Sequence, residues 1–190
     1  GSILIALLGY QFIEFIKKYG MFVVVGIVIV AVALTFTLVA ALGKTVPTGT
    51  TNLNFKLPMS EASIIKDFSD TELQNNETLN QWEAHLYVDF ASENKDVFAV
   101  LGGTVEKIEN DYLDGFTITI KHSDGFESIY SSLSETMAVK VGDKVESGQK
   151  IGTADETAVG EQDMGAHLHF AMKLNDKFVD PNNYLDLQQK

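Results

Sequence analysis

Residues 21–43 (MFVVVGIVIVAVALTFTLVAALG) are an apolar run of 23 residues without a charged side chain. A segment of that kind has few places to go in water. As a helix it would rise about 34 Å, enough to cross the roughly 30 Å hydrocarbon core of a bilayer, so a single transmembrane helix is expected over 21–43. A cleaved signal peptide is the competing reading, since Ala40 and Ala41 supply small residues, but its apolar core would be only about 7–15 residues long. Lys17 and Lys18 precede the run. By the positive-inside rule they put residues 1–20 in the cytoplasm and everything after the helix outside, an N-in, C-out topology. The stretch Ile3–Ile16 is apolar enough to lie along the membrane.

Charge divides the chain in the same place. The whole sequence carries −12, of which residues 1–44 account for +2 and residues 45–190 for −14. All 14 cationic residues are lysines. Without the bidentate guanidinium fork, and with so acidic a chain, nucleic-acid binding is excluded as a function class. Cysteine is absent, so disulfides, thiolate metal sites and thiol nucleophiles are excluded too, and any metal site must be built from His and carboxylates.

Beyond the apolar run, Lys44–Ser60 is rich in Thr and Asn with two of the three prolines and reads as a stalk. Residues 61–82 fit a pair of strands or a short helix equally. After Trp82 the pattern is β: Val97–Val100, Thr104–Ile108, the alternating FTITIK of Phe116–Lys121, Glu127–Tyr130 and Lys140–Val145, separated by turn signals such as Ser123-Asp124-Gly125. The expected organisation is a cytoplasmic segment 1–20, a transmembrane helix 21–43, a stalk and lead-in 44–79, and a mainly β, barrel-sandwich type domain over 80–190.

Chemistry concentrates in the histidines. His85 and Asp89 form H-x-x-x-D, and His167 and His169 form H-x-H. In a strand, residues i and i+2 share a face, so both imidazoles of the second motif would meet one site. Zinc accepts imidazole nitrogen and carboxylate oxygen, and a catalytic zinc takes three protein ligands and leaves one position open. His85, Asp89 and one of the H-x-H pair would make such a set. His122, just before a turn, reads as structural.

The order His85-x-x-x-Asp89, VFAVLGGTV, GFTITIKHSDG, ESIYSSL, VKVGDKVESGQKIG, GAHLHF and Asp180-Pro181 resembles the M23 (LytM-type, lysostaphin-like) zinc metallopeptidases over roughly residues 80–185. That resemblance implies zinc ligands at His85, Asp89 and His169, a catalytic histidine at His167, an antiparallel β core, and the peptide cross-bridge of peptidoglycan as substrate. The sequence departs from the family at one decisive point. Active members carry a second catalytic histidine in Y-x-H-L, and here Tyr130-Ser131-Ser132-Leu133 puts Ser132 there. A hydroxyl does not titrate near neutral pH, and loss of a general acid–base group costs about 10²–10⁴ in rate. Ala171 also stands where an acidic residue often follows HLHF.

The membrane helix, the stalk, DFSDTELQNNETLNQWEAH and the Y-S-S-L variant together resemble a sporulation subfamily of that family from endospore-forming bacteria. The resemblance implies a forespore-membrane protein whose domain faces the space between forespore and mother cell, binds a stage III sporulation protein AH-like partner, and joins a channel or zipper during engulfment. His167 would then be vestigial and the enzyme degenerate. Two other functions stay open: a working zinc endopeptidase, and a peptidoglycan-binding module without turnover. VGDKVESGQKIG also resembles the turns of biotinyl or lipoyl carriers, but no modifiable lysine signature accompanies it.

Overall fold

The computed structural model describes residues 53–186, together with Ile13, Glu14, Lys17 and Lys18. The expected transmembrane run 21–43 lies outside these residues. Among the described residues, no helix is long and apolar enough to cross a membrane. Ile13, Glu14, Lys17 and Lys18 are helical and exposed, with Lys17 Nζ 2.8 Å from Glu14 Oε1. They belong to a unit, residues 1–51, separate from the β unit that begins at Asn52.

Twelve strands are described in the β unit: β1 (Ser63–Lys66), β2 (Ser69–Asn76), β3 (Gln81–His85), β4 (Val88–Ala91), β5 (Asp96–Phe98), β6 (Gly103–Asp111), β7 (Gly115–Lys121), β8 (Phe126–Leu133), β9 (Lys144–Val145), β10 (Lys150–Thr153), β11 (Leu168–Leu174) and β12 (Lys177–Val179). The main sheet runs β1-β4-β11-β8-β7-β6-β9, with β12 also paired to β11. Two small sheets, β10-β5 and β2-β3, complete the antiparallel fold. This is the mainly β, antiparallel architecture expected from the sequence.

Local chemistry explains the hairpins. Between β7 and β8, Asp124 and Gly125 both take positive φ (57° and 78°), as a two-residue type I′ turn requires, and Phe126 N–H closes it on Ser123 carbonyl at 3.2 Å. Between β6 and β7, Asp111 Oδ1 accepts the N–H of Leu113 at 2.8 Å and stabilises the reversal. The β-branched residues of β7 then supply Ile118 and Ile120 to the core, where they pack with Val105, Tyr130, Leu133, Ile151, Leu168 and Phe170.

The core reaches further toward the N-terminus than the stalk expectation allowed. Phe55 and Met59, within the expected stalk and lead-in 44–79, are buried in it, and Lys56 N–H donates to Val100 carbonyl at 2.8 Å. Strand β1 covers the outer side of β4. Residues 61–82, ambiguous by periodicity, form β1, β2 and the start of β3.

The buried His122 ties neighbouring strands together. Its Nδ1 is 3.0 Å from Gly102 carbonyl and its Nε2 2.7 Å from Ser128 Oγ, which in turn lies 2.9 Å from Tyr130 Oη. This is the structural role expected of it.

Candidate metal centre

Strand pairing builds the site. β11 lies between β4 and β8, in a register that sets His169 opposite Asp89 on one side and opposite Ser131 on the other. His85 closes β3, and the short link Leu86–Tyr87 turns the chain into β4, so that His85 and Asp89 return to one place from different sheets. His169 Nδ1 stands 2.6 Å from Asp89 Oδ1, and His85 Nε2 stands 3.2 Å from Asp89 Oδ2. All three residues are buried. The structure thus brings together His85, Asp89 and His169, the three residues that the family resemblance implies.

Each imidazole is oriented from behind. His85 Nδ1 is 2.9 Å from Asp67 carbonyl, an acceptor only, so that nitrogen carries the proton and Nε2 faces the carboxylates. Tyr87 stacks on His169 with ring centroids 3.6 Å apart at 17°.

A fourth group, a second carboxylate, enters from a segment that the motifs did not single out. The irregular 3-10 segment Val159–Met164 breaks at Glu161 (φ −137°, ψ 33°). Gly160 holds that point in place, its N–H donating to Leu113 carbonyl at 3.0 Å and its own carbonyl accepting from Asn76 Nδ2 at 3.0 Å. Glu161 Oε2 lies 2.8 Å from His169 Nδ1 and 3.4 Å from His167 Nε2, while Oε1 lies 3.6 Å from His85 Nε2. Lys66, on β1, places Nζ 2.6 Å from Oε1. The only sequence trace of Glu161 is an acidic residue six positions before His167. Lys66 left none, because it lies 95 positions from its partner.

One ligand atom from each of His85, Asp89, Glu161 and His169 falls within 4.8 Å of all the others. His85 Nε2 and Asp89 Oδ2 are buried with no hydrogen-bond partner, although they are close to each other. Leaving such atoms unsatisfied costs about 1–3 kcal/mol each. A divalent cation between them would satisfy both, and the nitrogen and oxygen donors suit one. The residues present therefore fit a metal.

Electrostatics follow from the carboxylates. Burial opposes protonation of His85, but the nearby Asp89 and Glu161 carboxylates outweigh it and raise its pKa to about 9. His169, also held back by burial, is raised to about 9 by the same two carboxylates. Burial would raise Asp89 and Glu161, yet their histidine partners hold both below the ordinary carboxylate range. Protons on the two imidazoles therefore balance the two carboxylates at neutral pH, and a bound cation would displace them.

The expected catalytic residues are placed differently. His167 is buried just before β11, with Nδ1 2.7 Å from Gly165 carbonyl and Nε2 turned to Glu161. Ser132 is fully buried on β8 with a positive φ of 58°. Its Oγ donates to Asp155 carbonyl at 2.8 Å and its N–H to Asp114 carbonyl at 2.9 Å. A cleft of about 200 Å³ borders the centre, lined in part by His85, Tyr87, Asp114, Glu161 and His169.

Residues 83–181 match Peptidase family M23. Stage II sporulation protein Q of Bacillus subtilis (strain 168) is 32% identical over 146 residues, covering 70% of this chain and 51% of that protein. The chain thus spans about half the length of this relative. Among solved structures, a chain of the SpoIIQ-SpoIIIAH pore forming complex superposes with a TM-score of 0.62 at 30% identity, covering 70% of this chain and 92% of that one. The catalytic domain of a mutant of the prophage-encoded M23 protein EnpA from Enterococcus faecalis has a TM-score of 0.56 at 20% identity, over 69% of this chain and 97% of that one, and so shares the fold.

Proposed function

The chain belongs to peptidase family M23, and we propose that it is a degenerate, zinc-holding LytM-like domain that works by binding a partner protein in a sporulation complex. The observation that carries this reading is Ser132. At the position of the family's second catalytic histidine stands a fully buried hydroxyl already committed to Asp155 carbonyl. It carries no titrating proton and is spent on the backbone. His85, Asp89 and His169 would hold Zn²⁺, which supplies Lewis acidity in an active relative and a structural tie here. His167 is vestigial in this reading, since its Nε2 engages Glu161.

The partner reading rests on likeness to stage II sporulation protein Q and to a structure in which SpoIIQ is joined with SpoIIIAH. A SpoIIIAH-like protein is the partner proposed. The 21–43 run would anchor the chain in the forespore membrane as a single-pass, N-in, C-out protein, with the β domain in the intermembrane space.

Titration of the full chain in detergent with the SpoIIIAH-like protein, beside a peptidoglycan-release assay, tests the reading. Binding without release is the expected result. Robust release that disappears in His167→Ala would make the chain an endopeptidase, and tight binding to isolated peptidoglycan with none to the protein would make it a wall-binding module.

A further inference from the structure

Glu161 stands outside the three-residue set implied by the family resemblance, yet its carboxylate lies among those side-chain atoms. Two donor atoms held about 2.0–2.2 Å from one four-coordinate ion are separated by roughly 3.3–3.5 Å. Glu161 Oε2 is 2.8 Å from His169 Nδ1 and its Oε1 is 3.6 Å from His85 Nε2, one spacing below this value and one just above it. A general base that acted on the metal site through an intervening molecule would stand well beyond the ligand nitrogens. Glu161 stands level with them.

The geometry points to Glu161 as a fourth protein ligand that closes the metal site, turning an open catalytic centre into a structural one. This rests on the zinc-holding reading of His85, Asp89 and His169 above. Three independent features support it. Glu161 is 6% exposed, too buried to be a solvated surface carboxylate that happens to lie nearby. Lys66 engages Oε1, the oxygen that faces His85, while Oε2 is directed at His169 and His167. Its backbone is held by Gly160, clamped between Leu113 and Asn76, so the side chain is delivered by a fixed segment.

Asp89 and Glu161 supply two buried negative charges, the number that a divalent cation between neutral imidazoles would balance. The position that a catalytic metal keeps open is then filled by the chain itself. This accounts for a preserved metal set beside a missing catalytic histidine.

The test is cobalt substitution of the full chain in detergent, with azide as a probe for an open coordination position. The visible spectrum of cobalt-loaded wild type should be unchanged by azide. Glu161→Ala should bind cobalt at least about tenfold more weakly, as loss of a metal-supporting group typically costs about 10–100-fold, and its spectrum should shift with azide. Glu161→Gln, which keeps the shape, guards against misfolding of the alanine variant, and the wild-type spectrum decides the main point alone. An azide shift in wild type, or unchanged cobalt affinity in both variants, would overturn the closed site while leaving the three-residue metal centre standing. No cobalt uptake by wild type would overturn the metal centre itself, and the fourth ligand with it.

Discussion

Asp89 and His169 face each other directly across the β4–β11 pairing, with Oδ1 and Nδ1 2.6 Å apart. Two side chains in cross-strand register are positioned by the sheet and need no loop to find each other. Asp89→Ala should therefore leave the backbone pairing intact while zinc content falls from about one equivalent to below a tenth, and His85→Ala should do the same. Metal analysis of chains purified without chelator measures this, and wild-type occupancy in either variant would refute the assignment.

Metal removal should loosen the join between two sheets, because His85 comes from β3 and Asp89 from β4. A ligand at about 100 times its Kd stabilises the folded state by about 2.7 kcal/mol. Thermal melts of chelated and zinc-supplemented chain should differ accordingly, and SpoIIIAH-like partner binding should weaken in the chelated sample. Coincident melts after verified zinc removal would defeat a structural role for the metal.

Ser132→His tests turnover. The backbone at position 132 is left-handed, a region in which His is enriched among non-glycine residues, and because the site is fully buried a thermal melt of the variant checks that it has repacked and folded. It should nonetheless release no wall peptide while Glu161 remains. Combining it with Glu161→Ala is the variant most able to gain activity, and a gain in Ser132→His alone would show that the metal position was open from the start.

His122 makes stability pH-dependent. Burial holds its imidazole below the ordinary range despite the Gly102 carbonyl and the nearby charge of Glu127, which favour protonation. The unfolded chain, with a His pKa of about 6.5, therefore takes up a proton that the folded chain refuses, and stability falls as pH drops through that value. The urea midpoint of wild type should lose ground to His122→Gln between pH 7.5 and 5.5. A constant gap between the two would show that His122 does not titrate on unfolding.

Partner association should be salt-sensitive. Residues 45–190 carry −14, which favours a basic protein face over anionic wall polymers. Screening sets in beyond a Debye length of about 8–10 Å, so raising salt from 50 to 500 mM should slow association with a SpoIIIAH-like protein more than it speeds dissociation. Stopped-flow binding at the two salt levels checks this, and a salt-independent on-rate would remove charge from the account.

What could be read from the sequence was what local pattern encodes. Asp124-Gly125 announced its hairpin because only positive φ fits the turn, and FTITIK announced β7 through its β-branched residues. The motifs pointed to His85, Asp89 and one of His167 and His169, and the family resemblance singled out His169; strand spacing accounts only for the H-x-H pair, since His85 and Asp89 lie on different strands. Residues 61–82 hid their strands because SDTELQNN is exposed along most of β2 and lacks an apolar alternation. Glu161 and Lys66 were invisible for another reason: their meeting depends on how β1 and the Val159–Met164 segment pack, which no short window of sequence contains.

Strand β1 has a consequence for anyone trimming this chain to the family match. A fragment of residues 83–181 would discard Phe55, Met59, Lys66 and all of β1. β4 would then present unpaired N–H and C=O groups along a strand bearing Val88 and Phe90, a sticky template for other chains. Such a fragment should precipitate or dimerise edge to edge, so the smallest well-behaved unit is set by strand protection and reaches some thirty residues upstream of the family boundary.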